Sequence, residues 1–362
     1  MNQTVYSGVN SYKRISDIIR NLNVRKPMLV CGKSFSQLKV KGFLENLGVE
    51  TVRFSDFSSN PVYEDVCKGV MLFRNEACDA LLAIGGGSAI DVAKCIKLFS
   101  RMDPSVVFWG QEYVETNIPI VAMPTTAGTG SESTRHAVIY FNGDKQSVSH
   151  PSIIPEYAVL DPSVLKSLPV YQKKCTLMDA LCQAIESWWS VNSTDESRKC
   201  SKAAVEGIVA HWHEYIEENT ERSAEKIMLS SNLAGRAINI TATTAPHAMS
   251  YKLTSMYKLP HGHAVALCLP EVWDYMLAHI GDCIDKRGEK YVGRVFDEIS
   301  EIINIKEFRE LLRKLELLKP MMKGKSDLVV LSESVNKERL KNNPIALNID
   351  DLRKLYERIV ER

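Results

Sequence analysis

The chain has 362 residues, more than one ordinary hydrophobic core accommodates, so its length predicts two domains. Apolar residues make up 45% and charged residues 25%, which is typical of globular proteins and excludes a largely disordered or fibrous chain. With 45 basic and 44 acidic residues the formal net charge is +1, which leaves no general field for nucleic acid or an acidic membrane and favours a small-molecule partner.

The first 160 residues alternate short apolar runs with helix-like stretches, the pattern of β-α-β units on a parallel sheet. In chain order the pattern predicts strands at 24–31, 49–54, 80–84 and 119–123, with helices at 35–47, at 62–75 and from Ser88. Beyond residue 162 the strand-like runs become rare, and amphipathic stretches such as 177–190 and 223–241 predict helices. We therefore expect an α/β nucleotide-binding domain at 1–162 and an all-helical domain at 163–362.

Three consecutive glycines lie between the strand at 80–84 and the helix that follows it: Gly85, Gly86 and Gly87. Glycine lets backbone N–H groups approach a diphosphate closely, and the helix N-terminus at Ser88 adds about half a positive charge. The run predicts a cofactor-phosphate loop, although it lacks the spacing G-x-G-x-x-G, and a tight turn with a serine N-cap has the same pattern. Asp91 and Lys94, on the first turns of this helix, are candidates to face the cofactor, and a solvated ion pair is the alternative.

A second loop of small residues, 124–131, follows the strand at 119–123. Open α/β sheets bind their ligands at the carboxyl ends of strands. Threonine hydroxyls on a flexible backbone suit a ribose or a nicotinamide amide, so Thr125, Thr126 and Thr129 are predicted to contact the cofactor.

These two loops, together with Met-Asp-Ala-Leu-Cys-Gln-Ala-Ile-Glu at 178–186 and the His-containing segment 246–263, resemble the iron-containing alcohol dehydrogenase family. The order and spacing of the motifs match over about residues 5–360, including the tail at 342–352. The resemblance implies the fold shared with dehydroquinate synthase, in which an α/β domain with a parallel sheet precedes an all-α domain.

The same resemblance implies a divalent metal, iron(II) or zinc, between the two domains. The matching positions are Asp179, Gln183, His247 and His261. Asp179 and Gln183 are four residues apart and share one face of a helix, and carboxylate and imidazole suit either metal. The family usually has histidine where Gln183 stands, and an amide oxygen is a weaker, neutral ligand. The site then either binds metal through three protein ligands with water or substrate, or holds it loosely.

Two further residues are candidates for catalysis. Tyr251 occupies a position where many family members carry a histidine close to the nicotinamide. If that histidine relays a proton to the alkoxide, the Tyr251 phenol could donate instead, or bulk water could, and simple packing is the alternative. His263, two residues beyond His261, is a second candidate, and a local turn histidine is its alternative.

The choice between NAD(H) and NADP(H) has one clue, at the end of the first predicted strand. NAD-using relatives often carry an acidic residue there, which accepts from the ribose hydroxyls and repels a 2′-phosphate. This chain has Gly32 and Lys33, which leave space and offer positive charge, so NADP(H) is favoured. Lys145 matches a position that contacts the cofactor in the family.

Taken together, the resemblance implies an oxidoreductase in which a metal binds the carbonyl oxygen and a nicotinamide supplies hydride. Three basic residues in segments flanking the predicted cleft are candidates for an anion pocket: Arg135, His150 and Lys252. With the Gln-containing motif they indicate the subgroup of phosphonoacetaldehyde reductases, which form 2-hydroxyethylphosphonate. The alternatives are a dehydrogenase of generic primary alcohols, a lyase similar to dehydroquinate synthase and a non-catalytic cofactor-binding homologue.

Location and assembly complete the expectations. Nine cysteines without a C-x-x-C pair indicate reduced thiols in a cytoplasmic protein. The sequence contains no run of 18 consecutive apolar residues, so it predicts no membrane segment, and the first 20 residues do not resemble a signal peptide. The family resemblance implies a homodimer or a larger homo-oligomer.

Overall fold

A computed structural model describes residues 3–324 and 326–361. The chain forms two compact units. Unit 1 comprises Met1–Leu168 and Asn219–Asn232, and unit 2 comprises Pro169–Glu218 and Leu233–Arg362. The division into domains 1–162 and 163–362 stays a prediction, and the placement of Asn219–Asn232 in unit 1 was not part of it.

Unit 1 is built on a parallel sheet. The strands of the unit are β1 Thr4–Ser7, β2 Pro27–Cys31, β3 Val52–Phe54, β4 Ala80–Gly85, β5 Ile120–Pro124, β6 His136–Phe141, β7 Asp144–Ser149 and β8 Tyr157–Leu160. Six of them form one sheet in the order β1-β8-β5-β4-β2-β3, and every neighbouring pair is parallel. Residues of β2, β4 and β5 are fully buried, which explains their continuous apolar runs. The predicted parallel α/β architecture is confirmed.

The helices of unit 1 are α1 Arg14–Asn21, α2 Lys41–Leu44, α3 Tyr63–Asn75, α4 Gly87–Phe99 and the first half of α7 Glu221–Thr241. Helix α4 packs against β2, β4 and β5 of the sheet. Helix α4 is apolar around most of its circumference, and its residues Ala89–Phe99 are buried apart from Asp91. Because α4 begins directly after β4, its N-terminus lies at the carboxyl end of the central strands.

Two local predictions in unit 1 were wrong or incomplete. The helix predicted at 35–47 is a 3-10 segment at Lys33–Gln37 followed by the single turn α2, because Val40 and Gly42 are weak helix formers in a short stretch. The antiparallel pair β6 and β7 was not predicted. Its turn at Asn142-Gly143 has φ angles of 52° and 83°, the left-handed conformation that favours this dipeptide in hairpins.

Unit 2 is helical. Its helices are α5 Val170–Trp189, α6 Asp195–Glu217, the second half of α7 Glu221–Thr241, α8 Ala245–Tyr257, α9 His261–Ala278, α10 Glu289–Ser300, α11 Ile305–Lys314, α12 Ser326–Glu333, α13 Lys337–Leu340 and α14 Ile349–Ile359. Helix α5 is buried along most of its length and packs against α6 and α9, and α9 also packs against α8. Among the described residues, none of the helices is long and apolar enough to cross a membrane.

Candidate active site

Three predicted metal ligands come together in unit 2. One oxygen or nitrogen atom from each of Asp179, His247 and His261 lies within 4.8 Å of the corresponding atoms of the other two. Oδ1 of Asp179 is 3.4 Å from Nε2 of His247 and 4.0 Å from Nε2 of His261. Metal bonds of about 2.0–2.2 Å place the ligand atoms of one ion about 3–4 Å apart. The spacing therefore suits a single small cation.

The cluster forms because α9 approaches α5 very closely. Gly262 follows His261 at the start of α9, and a Cβ there would lie 2.0 Å from the carbonyl oxygen of Cys175 and 2.8 Å from Cβ of Asp179. No residue with a side chain fits this approach without moving a helix backbone. Glycine between the two histidines of the motif therefore lets His261 lie beside Asp179.

A buried carboxylate orients His247. Glu186 is fully buried, and its Oε1 is hydrogen-bonded to Nδ1 of His247. Its Oε2 accepts from the backbone N–H of Thr244 at 2.7 Å and from the Thr244 hydroxyl at 2.9 Å. Donation of the Nδ1 proton to a carboxylate leaves the Nε2 lone pair for a metal, an arrangement common among metal-binding histidines.

Glu186 was not predicted as a functional residue. It lies in the motif at 178–186, seven residues after Asp179, and positions i, i+4 and i+7 share one helix face. That spacing was the available signal. The local charge also favours a cation: burial alone would lower the pKa of His247, but the carboxylates of Glu186 and Asp179 outweigh burial and raise it to about 9.

Gln183 supplies the fourth predicted position. It is buried one turn after Asp179 on α5, and its side-chain oxygen accepts no hydrogen bond from the described part of the chain. A buried acceptor without a donor is uncommon in proteins and fits a site that receives a ligand. The donor set of one carboxylate, two imidazoles and an amide oxygen fits iron(II) or zinc. The role of Gln183 as a ligand stays a prediction.

The two candidate catalytic residues lie in different surroundings. The ring of Tyr251 stacks on His261, with centroids 5.8 Å apart. Burial raises the pKa of the Tyr251 phenol. His263 is engaged at both ring nitrogens, by the Tyr171 hydroxyl at 2.8 Å and the Leu318 carbonyl at 2.9 Å. These contacts favour a structural role for His263, and the catalytic roles of both residues stay predictions.

In unit 1 the two predicted cofactor loops lie side by side. The backbone N–H of Thr125 donates to the carbonyl of Gly85 at 3.0 Å, since β4 and β5 are neighbouring strands. A Cβ on Gly86 would lie 3.5 Å from Thr126, and one on Gly87 would lie 3.0 Å from Thr129. The structure thus brings the glycines and threonines together at the carboxyl edge of the sheet and the N-terminus of α4.

The polar residues that follow the glycines form hydrogen bonds that hold the neighbouring loops in place. The Ser88 hydroxyl donates to the carbonyl of Ser59. Asp91 accepts from the Ser131 hydroxyl at 2.6 Å and from the N–H of Val138 at 3.0 Å. These bonds favour a supporting role for Asp91, and its contact with the cofactor stays a prediction.

Lys94 is fully buried, so the alternative of a solvated ion pair does not hold for it. Its Nζ donates to the Ser131 carbonyl at 2.5 Å, the Thr134 hydroxyl at 3.1 Å and the His136 carbonyl at 2.8 Å. Burial lowers the pKa of Lys94 to about 8, although nearby carboxylates oppose the shift. Lys94 therefore links α4 to the end of the second loop through buried hydrogen bonds. Its contact with the cofactor stays a prediction.

Several other predicted residues lie near the surface of unit 1, whereas Lys252 lies on α8 of unit 2. Gly32 ends β2, the neighbour of β4, and Lys33 is exposed at the start of the following 3-10 segment. Lys145 is exposed on β7, and Nδ1 of His150 is 2.7 Å from the Ser152 hydroxyl. Gly32 is thus at the sheet edge that carries the two cofactor loops, as the NADP(H) prediction requires.

The α/β unit carries two adjoining loops predicted to bind a nucleotide, and the helical unit carries a buried carboxylate-histidine cluster. These are the features expected of a metal- and nucleotide-dependent oxidoreductase. The model of the family "Iron-containing alcohol dehydrogenase" matches residues 2–162, and that of "Fe-containing alcohol dehydrogenase family, C-terminal" matches residues 174–360. The chain belongs to the iron-containing alcohol dehydrogenase family. The predictions of an alcohol dehydrogenase, of a nicotinamide cofactor and of a divalent metal are confirmed at the level of this family.

Several relatives are similar to this chain. A probable alcohol dehydrogenase EutG of Escherichia coli (strain K12) is 33% identical over 59% of the chain, and the match spans 56% of that relative's length. The NADPH-dependent butanol dehydrogenase of Clostridium saccharobutylicum is 28% identical over 98% of the chain and 95% of the relative. A phosphonoacetaldehyde reductase of Streptomyces viridochromogenes is 34% identical over 61% of the chain and 60% of the relative.

Solved structures share the fold over almost the whole chain. The crystal structure of sulfoacetaldehyde reductase from Bifidobacterium kashiwanohense in complex with NAD+ has a TM-score of 0.88 and 26% identity. The match covers 99% of this chain and 97% of that one. The combination of sheet and helical unit is therefore the fold of this family, as the sequence predicted.

Proposed function

We propose that the protein is a metal-dependent aldehyde reductase that prefers NADP(H) and acts on a small anionic aldehyde such as phosphonoacetaldehyde, giving 2-hydroxyethylphosphonate. The observation that carries the reaction class is the Asp179, His247 and His261 cluster, supported from behind by Glu186. Support for the substrate class comes from the similar phosphonoacetaldehyde and sulfoacetaldehyde reductases. Both of those substrates are two-carbon aldehydes with an anionic group.

The residues of the chain have separate tasks in this proposal. Asp179, Gln183, His247 and His261 would hold the metal, which when bound supplies Lewis acidity toward a carbonyl oxygen while the nicotinamide supplies hydride. Glu186 keeps His247 in the tautomer that presents Nε2. Tyr251, stacked on His261, offers its phenol proton to the oxygen that becomes the alcohol.

The cofactor preference rests on the end of β2. The similar butanol dehydrogenase is NADPH-dependent and the similar sulfoacetaldehyde reductase was crystallised with NAD+, so the relatives leave the choice open. Gly32 offers no carboxylate to a ribose, and a side chain on it would meet nothing within 4 Å. A 2′-phosphate has room there beside the exposed Lys33.

The experiment follows NADPH and NADH absorbance separately with phosphonoacetaldehyde, sulfoacetaldehyde and simple aldehydes, with iron(II) or zinc added to protein purified without chelator. We expect metal-dependent oxidation of NADPH, fastest with an anionic aldehyde. Asp179→Asn should abolish the reaction, whereas Asp195→Asn, which changes an exposed carboxylate on α6, should not. A rate of NADPH oxidation that does not depend on added metal and is retained in Asp179→Asn would contradict the proposal.

A second candidate is a dehydrogenase of uncharged primary alcohols, which the match to the butanol dehydrogenase over 98% of the chain favours. Turnover restricted to uncharged aldehydes in the same assay would select it. Cofactor binding without turnover would instead indicate the non-catalytic homologue. We also propose a cytoplasmic homodimer or larger homo-oligomer, and the nine free cysteines agree with a reducing compartment.

A further inference from the structure

Arg339 places a cation close to the histidine cluster of unit 2. It lies on the short helix α13, and its Nη1 donates to the Thr243 hydroxyl at 3.2 Å. The charge of Arg339 also acts on the phenol of Tyr251, whose ring stacks on His261. Arg339 is therefore close to the ring that packs on a predicted metal ligand.

The charge of Arg339 is not matched by a carboxylate. Within residues 3–324 and 326–361, the contact with Thr243 is the one side-chain hydrogen bond of its guanidinium, and no ion pair is formed. The adjacent Glu338 is held by Lys341 at 2.7 Å. Arg339 is half-buried, so its unused N–H groups are within reach of a ligand. A neutral hydroxyl fixes the side chain without cancelling its charge.

The backbone around Arg339 is fixed on both sides. Asn336 caps α13 and accepts from the N–H of Arg339 at 3.3 Å. Asn342 donates to the Thr243 carbonyl at 3.0 Å, and its own carbonyl accepts from Val191 at 3.1 Å. A guanidinium held this way loses little conformational entropy on binding, which favours affinity.

We propose that Arg339 binds the anionic end of the substrate, a phosphonate or sulfonate, while the aldehyde group faces the cluster of Asp179, His247 and His261. The inference rests on the proposed reductase function and names the residue that selects its substrate class. A planar guanidinium forms paired hydrogen bonds with oxyanions, which a lysine cannot reproduce. Arg339 was not among the basic residues predicted from the sequence to form an anion pocket.

The test compares substrates within each variant. Arg339→Gln removes the charge, Arg339→Lys keeps the charge without the planar fork, and Lys337→Gln removes an exposed positive charge from the same helix. For each, kcat/KM is measured with phosphonoacetaldehyde and with butanal, using saturating NADPH and the same metal. The readout is the ratio of the two values, which is insensitive to a uniform loss of folded protein.

We expect the ratio to fall by about 10–100-fold in Arg339→Gln, because hydrogen bonds to charged groups are the strong ones, and to fall less in Arg339→Lys. Lys337→Gln should keep the wild-type ratio. An unchanged ratio in Arg339→Gln, an equal fall in Lys337→Gln, or a rise confined to the KM for NADPH would overturn the inference. If Arg339→Gln does not fold, Arg339→Lys gives the same comparison.

Failure of the reductase function is recognised separately. If the wild type reduces no aldehyde, the proposed function fails, and calorimetric titration of the zinc-loaded protein with phosphonoacetate decides the inference. Binding that Arg339→Gln weakens and Lys337→Gln does not weaken would keep an anion site at Arg339. Absence of binding would remove it. If the wild type instead reduces uncharged aldehydes alone, the anion site at Arg339 is also excluded.

Discussion

Gly262→Ala tests how the metal cluster is assembled. Gly262 lies where α9 meets α5, and an added Cβ would be 2.0 Å from the carbonyl oxygen of Cys175 and 2.8 Å from Cβ of Asp179. The nearest atom belongs to a helix backbone, which cannot rotate away as a side chain can. The substitution must therefore push the two helices apart, and it acts on the site without altering any ligand.

The size of the effect follows from this distance. Ordinary contact begins at 3.4 Å, so the carbonyl of Cys175 must retreat by about 1.4 Å. Overpacking costs about 1–3 kcal/mol, and helix propensity alone would return about 1 kcal/mol. Because backbone meets backbone, the overpacking cost lies at the upper end of this range, and we expect a net loss of about 2 kcal/mol in the free energy of unfolding. Metal sites tolerate errors of about 0.2 Å, so zinc affinity should fall at least about tenfold.

The assay pairs denaturant unfolding of the metal-free protein with zinc titration against a chromophoric chelator. Gly293→Ala on α10 is the matched control, since its Cβ would meet nothing within 4 Å. That variant should be more stable by about 0.5–1 kcal/mol and bind zinc normally. Wild-type stability together with wild-type zinc affinity in Gly262→Ala would refute the described approach of α9 to α5.

Three further changes test other parts of the molecule. Glu186→Gln should weaken zinc binding by about 10–100-fold in the same titration, because an amide cannot hold His247 as a carboxylate does. Gly32→Asp should lower the ratio of kcat/KM for NADPH to that for NADH by about tenfold or more, since the carboxylate repels a 2′-phosphate. Lys94→Met should lower the free energy of unfolding by about 3–5 kcal/mol in urea, because it leaves buried acceptors and the Asp91 carboxylate without their cation.

Each of these changes has a matched control at an exposed position. They are Glu217→Gln at the end of α6, Gly42→Asp on α2 and Lys39→Met before α2. We expect all three controls to stay near the wild type, within about 0.5 kcal/mol for the unfolding measurement. Normal zinc affinity in Glu186→Gln would mean that other contacts orient His247. An unmoved cofactor ratio in Gly32→Asp, or wild-type stability in Lys94→Met, would contradict the roles given to β2 and to the buried lysine.

The parts of the fold that the sequence predicted well are those with a local signal. The buried strand predicted at 80–84 is β4 Ala80–Gly85, and the helix predicted at 62–75 is α3 Tyr63–Asn75. A central parallel strand is a continuous apolar run that a glycine ends, so its bounds are legible. The short strand β1 lacks such a signal, because it is mostly exposed and pairs with a segment about 150 residues away. Strand β8 is buried, but its four residues are too short a run to predict a strand.

The site shows the same division. The resemblance to the family pointed to Asp179, His247 and His261, because the motif around Asp179 and the histidine segment are local sequence patterns, and the structure brings these three predicted ligands together. Arg339 was missed because its partner Thr243 is 96 residues away and no periodicity links α13 to α8. The sequence predicted the position of Lys94 on α4 but not its complete burial, because burial depends on the residues that pack around α4.

The charges of the unit 2 site explain how metal and substrate choice depend on each other. Asp179 and Glu186 place two buried carboxylates around His247, and a divalent cation balances them. Without the cation that charge would repel an anionic aldehyde. Once it is balanced, the cation of Arg339, which no carboxylate of the described residues pairs with, is the charge left to act on a substrate. If Arg339 binds the substrate as proposed, an uncharged aldehyde gains nothing from it, and the arrangement proposed to hold the metal would also favour an anionic substrate.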